Sequence, residues 1–387
     1  MRDVLHSLKP TKKEEIVIKK YIKEVLNTIN IKDAQAVVGG SFAKKTWLRG
    51  NCDIDIFVQF DYKKYKDKSR QISDILEKSL KKLHTERLHG SRDYFRVKRG
   101  AYIFEIVPIL KITKAEQAVN ITDVSPLHTQ WVKKHHNEDE IRLSKAFARA
   151  QDVYGAESYL HGFSGYVLEV LTIHYGSFLK FMKAASQWKQ QTIIDSERLL
   201  HNPLLELNNA KIQSPLILVD PVDRMRNAAA ALSREKYHLF IQKCKAYLKK
   251  PGQRSFLVKK KIIPKGAIAF AFPLSKKKSV AGTYFSLFNK LKRQLILEGF
   301  VLKKSDFVVE DSLILWFLFQ REQLSEFIER RGPPVSAKEH VKRFRKKHRE
   351  VYVKRGVLYA REKRTYVSAR TFLEHLLKMY GFIHRYM

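Results

Sequence analysis

Asp53-Ile54-Asp55 stands inside an apolar run, DIDIFVQF, in a chain of 387 residues that carries only 39 Asp and Glu against 75 Lys and Arg. In a β-strand, carboxylates at i and i+2 project from one face and lie close enough to share or bridge divalent cations. A second run, YIFEIVPIL, holds Glu105 among apolar neighbours, and from an adjacent strand it would complete a site of hard oxygen donors. Mg²⁺ suits that donor set, because no Cys/His cluster is present to favour zinc. Two such ions about 3.5–4 Å apart activate an attacking hydroxyl, hold a triphosphate and stabilise the departing oxygen, which is the two-metal scheme of nucleotidyl transfer. Gly39-Gly40-Ser41, separated from Asp53 by eleven residues, fits the same chemistry. A turn without side chains lets backbone N–H groups approach phosphate, and the Ser41 hydroxyl adds a donor. It is not a Walker A loop, since GGSFAKKT lacks the glycine immediately before the lysine.

These residues need elements to hold them. Thr11-Lys12-Lys13-Glu14 reads as a capping box, and Ile18, Tyr21/Ile22, Val25 and Ile29 recur at helical spacing, which predicts an amphipathic helix over 11–29. AQAVVGGS predicts a short strand ending at the glycine turn. DIDIFVQF predicts a strand with Ile54, Ile56 and Val58 on one face and Asp53, Asp55 and Phe57 on the other. A second helix is expected over about 69–83, then a hairpin turning near Arg99-Gly100 with its second arm interrupted at Pro108. From 139 to 250 the pattern is mainly helical. DEIRLSKAFARAQDVYG closes at Gly155, SGYVLEVLTIHYGSFLKFMKAA follows, and RNAAAALSREKYHLFIQKCKAYL resumes a helix after an irregular stretch from Leu199 to Pro221. Residues 251–368 bring strands back in GAIAFAFPL and FVLKKSDFVVEDSLILWFLFQ, and 369–387 leaves room for one further helix. The expected class is α+β and multidomain.

The formal net charge of +36 points to a polyanionic partner, because a cationic surface steers and holds phosphate backbones through counterion release. Between Lys236 and Leu297 sixteen Lys and Arg occur with no Asp or Glu. Lys259-Lys260-Lys261 and Lys276-Lys277-Lys278 in that stretch, with Arg343 and Arg345 in the basic segment beyond RRGPP, are the expected RNA phosphate contacts; a solvated basic face is the plain alternative. Phe344, Tyr352, Tyr359 and Tyr366, interleaved with that segment, either stack on a terminal base or pack in a core. An anionic membrane is the competing partner, yet no apolar run approaches the roughly 20 residues needed to span a bilayer. MRDVLHSLKPTKKEE shows no hydrophobic signal core. Cys52 and Cys244 have no C-x-x-C spacing and are expected as reduced packing residues of a cytoplasmic protein. His135-His136 beside Glu138, Asp139 and Glu140 reads as a solvated helix start rather than a metal site.

Longer blocks carry a family resemblance. G-S-x11-D-I-D, FEIVP, SPLHTQWV, RLSKAFARAQDVYGAESYLHGFSGYVLEVL and DPVDRMRNAAAALS resemble the archaeal, class I CCA-adding enzymes, tRNA nucleotidyltransferases of the polymerase-beta superfamily. The resemblance runs from about Ile29 through Ser233, and more weakly through RRGPP and the basic segment after it. It implies a nucleotidyltransferase head (1–138), a helical neck that recognises the nucleotide (139–250), an α+β body (251–368) and a tail, here a remnant of residues 369–387. It implies addition of C, C and A to the 3′ end of tRNA from CTP and ATP, without a nucleic-acid template. By motif match Asp53, Asp55 and Glu105 would be the catalytic carboxylates for two Mg²⁺ ions, with Gly40, Ser41 and Lys44 at the triphosphate. Ser125, His128, Lys145 and Tyr154 would face the sugar and phosphates of the nucleotide, and Arg226 with Asn227 the base. Where the family often has Arg-Thr before Pro-Leu-His, this chain has Val124-Ser125, which keeps the hydroxyl and lacks the guanidinium.

From the residues alone, Lys145 is a solvated helix lysine, Tyr154-Gly155 a helix end and Asn227 a helix N-cap. A poly(A)-polymerase-like RNA nucleotidyltransferase and a non-catalytic tRNA-binding protein are the alternative functions. The quaternary state is open, a homodimer included.

Overall fold

Thr11 starts the first long helix as its sequence predicts. Its hydroxyl accepts from the Glu14 N–H at 3.1 Å, and the Glu14 carboxylate accepts from the Thr11 N–H at 2.7 Å. A computed structural model describes residues 1–387 except 51–52, 260, 274–278, 310–311, 383–384 and 387, so Cys52, Lys260 and Lys276-Lys277-Lys278 lie outside the described residues. The chain forms two units, Met1–Lys259 and Lys260–Met387.

In the first unit α1 (Arg2–Leu8) and α2 (Lys12–Thr28) precede β1 (Ala34–Val38), the one-turn α3 (Gly40–Ala43), β2 (Asp53–Phe60), the short α4 (Tyr62–Tyr65) and α5 (Ile72–Ser79). β3 (Glu86–Leu88), β4 (Tyr94–Arg99) and β5 (Tyr102–Leu110) complete a sheet of order β1-β2-β5-β4-β3, in which only β2 and β5 are parallel. Ile54, Ile56, Val58, Phe95, Val97, Phe104 and Ile106 bury one face of this sheet against Ile18, Ile22 and Val25 of α2 and Ile72 and Leu76 of α5. The other face is left to Asp53, Asp55 and Glu105. Two expectations change here. The helix predicted over 69–83 is shorter, ending at Ser79 before a 3₁₀ turn, Lys81–Leu83. Pro108 does not interrupt β5, which pairs with β2 through Leu110. Beyond Ile106 that strand has no β4 partner, and the Pro108 carbonyl instead accepts from Arg92, so the missing N–H costs no ladder bond.

α6 (Ser125–Lys134), α7 (Glu138–Ala150), α8 (Gly165–Tyr175) and α9 (Phe178–Ala185) follow. β6 (Thr192–Asp195), α10 (Pro203–Glu206), α11 (Asn209–Ile212), β7 (Leu216–Asp220), β8 (Asp223–Asn227) and α12 (Arg234–Lys249) complete the unit. The long apolar helix expected from Gly165 onward is two, because Gly176 ends the first in the left-handed region, φ 81°, and the Ser177 side chain caps the second. α7 stops at Ala150, so Tyr154-Gly155 is no helix end but an isolated bridge to Phe163. The three-stranded sheet β6-β7-β8 lies inside a segment that reads as helical or irregular, and Arg226-Asn227 ends β8 instead of opening a helix. Ser233 caps the helix that does follow. Phe147, Phe163, Phe178, Phe181, Phe240 and Tyr247 fill the core of these helices.

The second unit pairs β10 (Leu302–Val309), β11 (Ser312–Phe319), β9 (Ile268–Pro273) and β15 (Arg385–Tyr386) into an antiparallel sheet under α13 (Ser279–Glu298) and α15 (Ala369–Met379). Phe372, Leu373, Leu376 and Leu377 of α15 share its core with Phe270, Leu291 and Phe317, so the segment read as a tail remnant is a structural part of this sheet layer. Tyr366 packs there too, 5.2 Å from Phe372. A second sheet, β12 (Phe327–Pro334), β14 (Val357–Lys363) and β13 (Glu350–Lys354), carries α14 (Lys338–Lys347). Arg343 and Arg345 are exposed on α14, and Tyr352 and Tyr359 stack on each other, 6.0 Å apart.

Candidate active site

The parallel register of β2 and β5 sets Asp55 opposite Glu105 and Asp53 opposite Ile103, so Asp53, Asp55 and Glu105 share one sheet face. The glycine turn closes over it. The Gly39 N–H donates to the Asp55 carbonyl at 2.8 Å, and a Cβ on Gly40, which has φ +58°, would lie 1.6 Å from Asp55 Oδ2. Only glycine therefore fits against this carboxylate. Arg96 of β4 stands opposite Glu105 and donates to its Oε1 at 2.8 Å. Among the described residues no three His, Cys, Asp or Glu side chains are gathered closely enough to hold a metal ion. The register thus sets the three carboxylates on one sheet face, and Glu105 is engaged by the Arg96 guanidinium. Three carboxylates on adjoining strands are an all-oxygen donor set, which fits a hard divalent cation and not zinc.

Beyond the turn the chain enters a buried cationic cluster. Lys44, the C-cap of α3, donates to Glu169 Oε2 at 2.9 Å, while Lys145 of α7 and Thr46 donate to Oε1 at 2.7 and 2.8 Å. Glu169 is 1% exposed and Lys145 4% exposed, which removes the solvated-lysine reading. Burial alone would raise the Glu169 pKa, but the Lys145 and Lys44 ammonium groups outweigh it and hold it at about 2. Arg142 fastens the same loop to α7 by donating to the carbonyls of Lys45 and Trp47.

A second buried carboxylate, Asp220 at the end of β7, collects His128, Tyr166 and Arg226. Burial pushes its pKa up, and the His128 hydrogen bond with the nearby His128 and Arg226 charges brings it down to about 2. Burial holds His128 below the ordinary histidine range despite Asp220, with Arg226 and Lys44 adding to the shift. An ionised carboxylate only accepts, so the His128 Nε2 N–H donates to Asp220 Oδ2 at 2.9 Å. His128 stacks on Tyr166 at 4.0 Å, and Lys44 Nζ lies 5.3 Å from the Tyr166 ring centre, so the two clusters adjoin. Tyr154 is close as well: a Cβ on Gly165 would come within 2.9 Å of its hydroxyl and 3.8 Å of Lys145 Nζ.

Lys44, His128, Lys145, Tyr154 and Arg226 are therefore gathered around the first turns of α8, and Gly40 is packed on Asp55. Ser125 opens α6, one turn before His128, and Ser41 follows Gly40 in α3. Asn227 is turned the other way. Its amide accepts from the Leu218 and Ala229 N–H groups and donates to the Lys211 and Leu216 carbonyls, which engages every bond it can make and ties β8 to β7. Lys259 is exposed, and Lys261 is paired with Asp306 at 3.2 Å. Glu169, Asp220, Tyr166 and Thr46 are not singled out by sequence. The one available signal was an acid in the middle of an apolar helix, GYVLEVLTI, and another ending the apolar run LILVD.

Three family profiles match the chain: a nucleotidyltransferase domain over residues 18–117, the second domain of tRNA nucleotidyltransferase over 139–257, and the CCA-adding enzyme C-terminal domain over 268–382. A CCA-adding enzyme of Nanoarchaeum equitans is 45% identical over 218 residues, which span 54% of this chain and 54% of that protein, about half the length of each. Those of Saccharolobus shibatae and Methanosarcina acetivorans are 34% and 29% identical, covering 77% and 97% of this chain and 72% and 88% of their own. Among solved structures, a cytoplasmic RNA terminal U-transferase and the Cid1 poly(U) polymerase superpose with a TM-score of 0.52. They are 12% and 13% identical, and each alignment covers 67% of this chain and 98% and 97% of theirs, a likeness of fold. With all three matched segments in agreement and a relative 34% identical over 77% of its length, the chain belongs to the family of CCA-adding tRNA nucleotidyltransferases.

Proposed function

We propose that the chain adds C, C and A to the 3′ end of tRNA from CTP and ATP: the terminal 3′ oxygen bonds to the α-phosphorus, the bond to the β-phosphate breaks, and pyrophosphate leaves. The observation that carries the site assignment is the parallel register of Asp55 and Glu105 beneath a glycine turn that tolerates no Cβ. Asp53, Asp55 and Glu105 would hold two Mg²⁺ ions, which when bound supply hydroxyl activation and charge neutralisation at the triphosphate. The chain's own residues do the positioning. Gly40 and Ser41 bring the backbone to the phosphates, and Lys44 and Lys145 present ammonium groups from a water-poor cluster where each charge counts for more. Ser125, His128 and Tyr154 would line the sugar and phosphate side, and Arg226, braced by Asp220, the base. Asn227 serves this site by holding β8. Residues 1–138 and 139–250 would act as head and neck, and the basic side chains from Lys259 onward, Lys261, Arg343 and Arg345 among them, would contact the tRNA backbone.

Among the described residues no helix is long and apolar enough to cross a membrane. Cys244 is a buried free thiol, its pKa pushed up by burial, which supports a cytoplasmic setting.

The test is incubation of purified protein and Mg²⁺ with tRNA lacking CCA and both nucleotides, followed by sequencing of the RNA ends. Discrete CCA ends are expected, and incorporation by Asp53→Ala should fall at least about a hundredfold with tRNA binding kept. Homopolymer tails would assign a poly(A)-polymerase-like activity, and tRNA binding without incorporation would leave a non-catalytic binder.

A further inference from the structure

Glu169 does work that the metal chemistry does not require. It sits within α8, buried, and its two oxygens are divided between two lysines from different elements: Oε2 takes Lys44, and Oε1 takes Lys145 and Thr46. Lys145 also donates to Thr46 at 2.9 Å. Two ammonium groups against one carboxylate leave one net positive charge in side chains that are 10%, 5% and 2% exposed for Lys44, Lys145 and Glu169. A structural ion pair has no need of a second cation, and a buried excess charge is unfavourable unless an anion completes it. Asp220 of the adjoining cluster is already engaged by Arg226. Lys44, the more exposed of the two lysines, follows directly on the glycine turn, its N–H donating to the Gly40 carbonyl at 3.2 Å.

Resting on the reading of Lys44 and Lys145 as triphosphate-side residues, we propose that Glu169 is a positioning residue: it fixes both ammonium groups beside the glycine turn so that the incoming nucleotide's triphosphate meets preorganised cations. Lysine side chains are long and lose much rotamer freedom when ordered, and a ligand that finds them already ordered is spared that loss. A carboxylate suits the task because it offers acceptors on both oxygens, whereas glutamine would turn an NH₂ toward one of the lysines.

Steady-state kinetics of the full chain on tRNA lacking CCA tests this. Glu169→Gln should raise the KM for CTP and ATP about tenfold or more, lower kcat less, and leave the KM for tRNA within about twofold. Lys145→Met should raise the same nucleotide KM. The double variant should be little worse than the worse single one, because part of the effect runs through that lysine. An unchanged nucleotide KM in Glu169→Gln, a loss confined to kcat, or effects that multiply would overturn the proposal. If thermal unfolding shows Glu169→Gln to be unfolded, Glu169→Asp, which keeps the charge and shortens the reach, takes its place: a raised nucleotide KM supports the role and an unchanged one overturns it. Calorimetric titration with CTP separates the two claims. Should the parent protein bind CTP but extend no tRNA, the functional reading fails, while loss of CTP binding in the variant still supports the role of Glu169 and retained binding refutes it.

Discussion

Gly40 and Asn227 show how differently two small residues serve one site. At Gly40 the backbone is left-handed, and any Cβ would overlap the Asp55 carboxylate. Gly40→Ala must therefore shift the turn or the carboxylate, and forcing an L residue into that conformation costs roughly 1–2 kcal/mol. Stability should fall by about that much in a denaturant titration, while single-turnover incorporation per folded molecule should fall at least about tenfold, since a displacement of about 1 Å is enough for a hundredfold loss. A stability loss with turnover per folded molecule intact would make the turn a scaffold with no share in phosphate binding. Asn227, by contrast, is adjacent to Arg226 in sequence and opposite to it in role. Arg226 braces against Asp220, and Asn227 points into the sheet and meets only backbone.

That inward orientation belongs to an element, β8, and its test is a stability test. Asn227→Ala strips partners from the Leu218 and Ala229 N–H groups and from the Lys211 and Leu216 carbonyls, and should cost about 2–4 kcal/mol with a lower denaturant midpoint. Nucleotide choice per folded molecule should stay as it was; a switched preference with unchanged stability would return Asn227 to the base. β8 also marks the limit of what sequence reveals. DIDIFVQF was legible because β2 has one buried face and one polar face, so its period of two is visible, and α2 announces itself by a reciprocal cap. β7 is buried at all five residues, which leaves a short apolar run without a period, and the alanines after Asn227 favour a helix that sheet pairing overrides, the Ala228 N–H donating to the Leu218 carbonyl at 2.8 Å. The site divides the same way. Asp53, Asp55 and Glu105 stand out as acids alternating with apolar residues, whereas Glu169 takes its meaning from Lys44, 125 positions away, and no local pattern records that pairing.

At the scale of the whole molecule, the proposed function gives the charge of +36 and the buried lysine cluster separate roles toward phosphate, and salt distinguishes them. Exposed cations such as Lys259, Arg343 and Arg345 act through solvent, where screening reaches within about 10 Å at 0.1 M salt. Each RNA phosphate they neutralise releases counterions, so a footprint of roughly six contacts predicts about a thousandfold weaker tRNA binding between about 50 and 200 mM salt. Lys44 and Lys145 are 8% and 4% exposed, set in protein of low dielectric, and on the proposed reading their contact with a triphosphate is screened far less. The KM for tRNA should therefore climb steeply over that salt range while the KM for CTP changes only a few-fold. Measuring both with one preparation decides between the two. If the constants rise together, nucleotide and tRNA share a single solvated cationic surface, and the enclosed triphosphate site around Lys44, Lys145 and Glu169 does not exist.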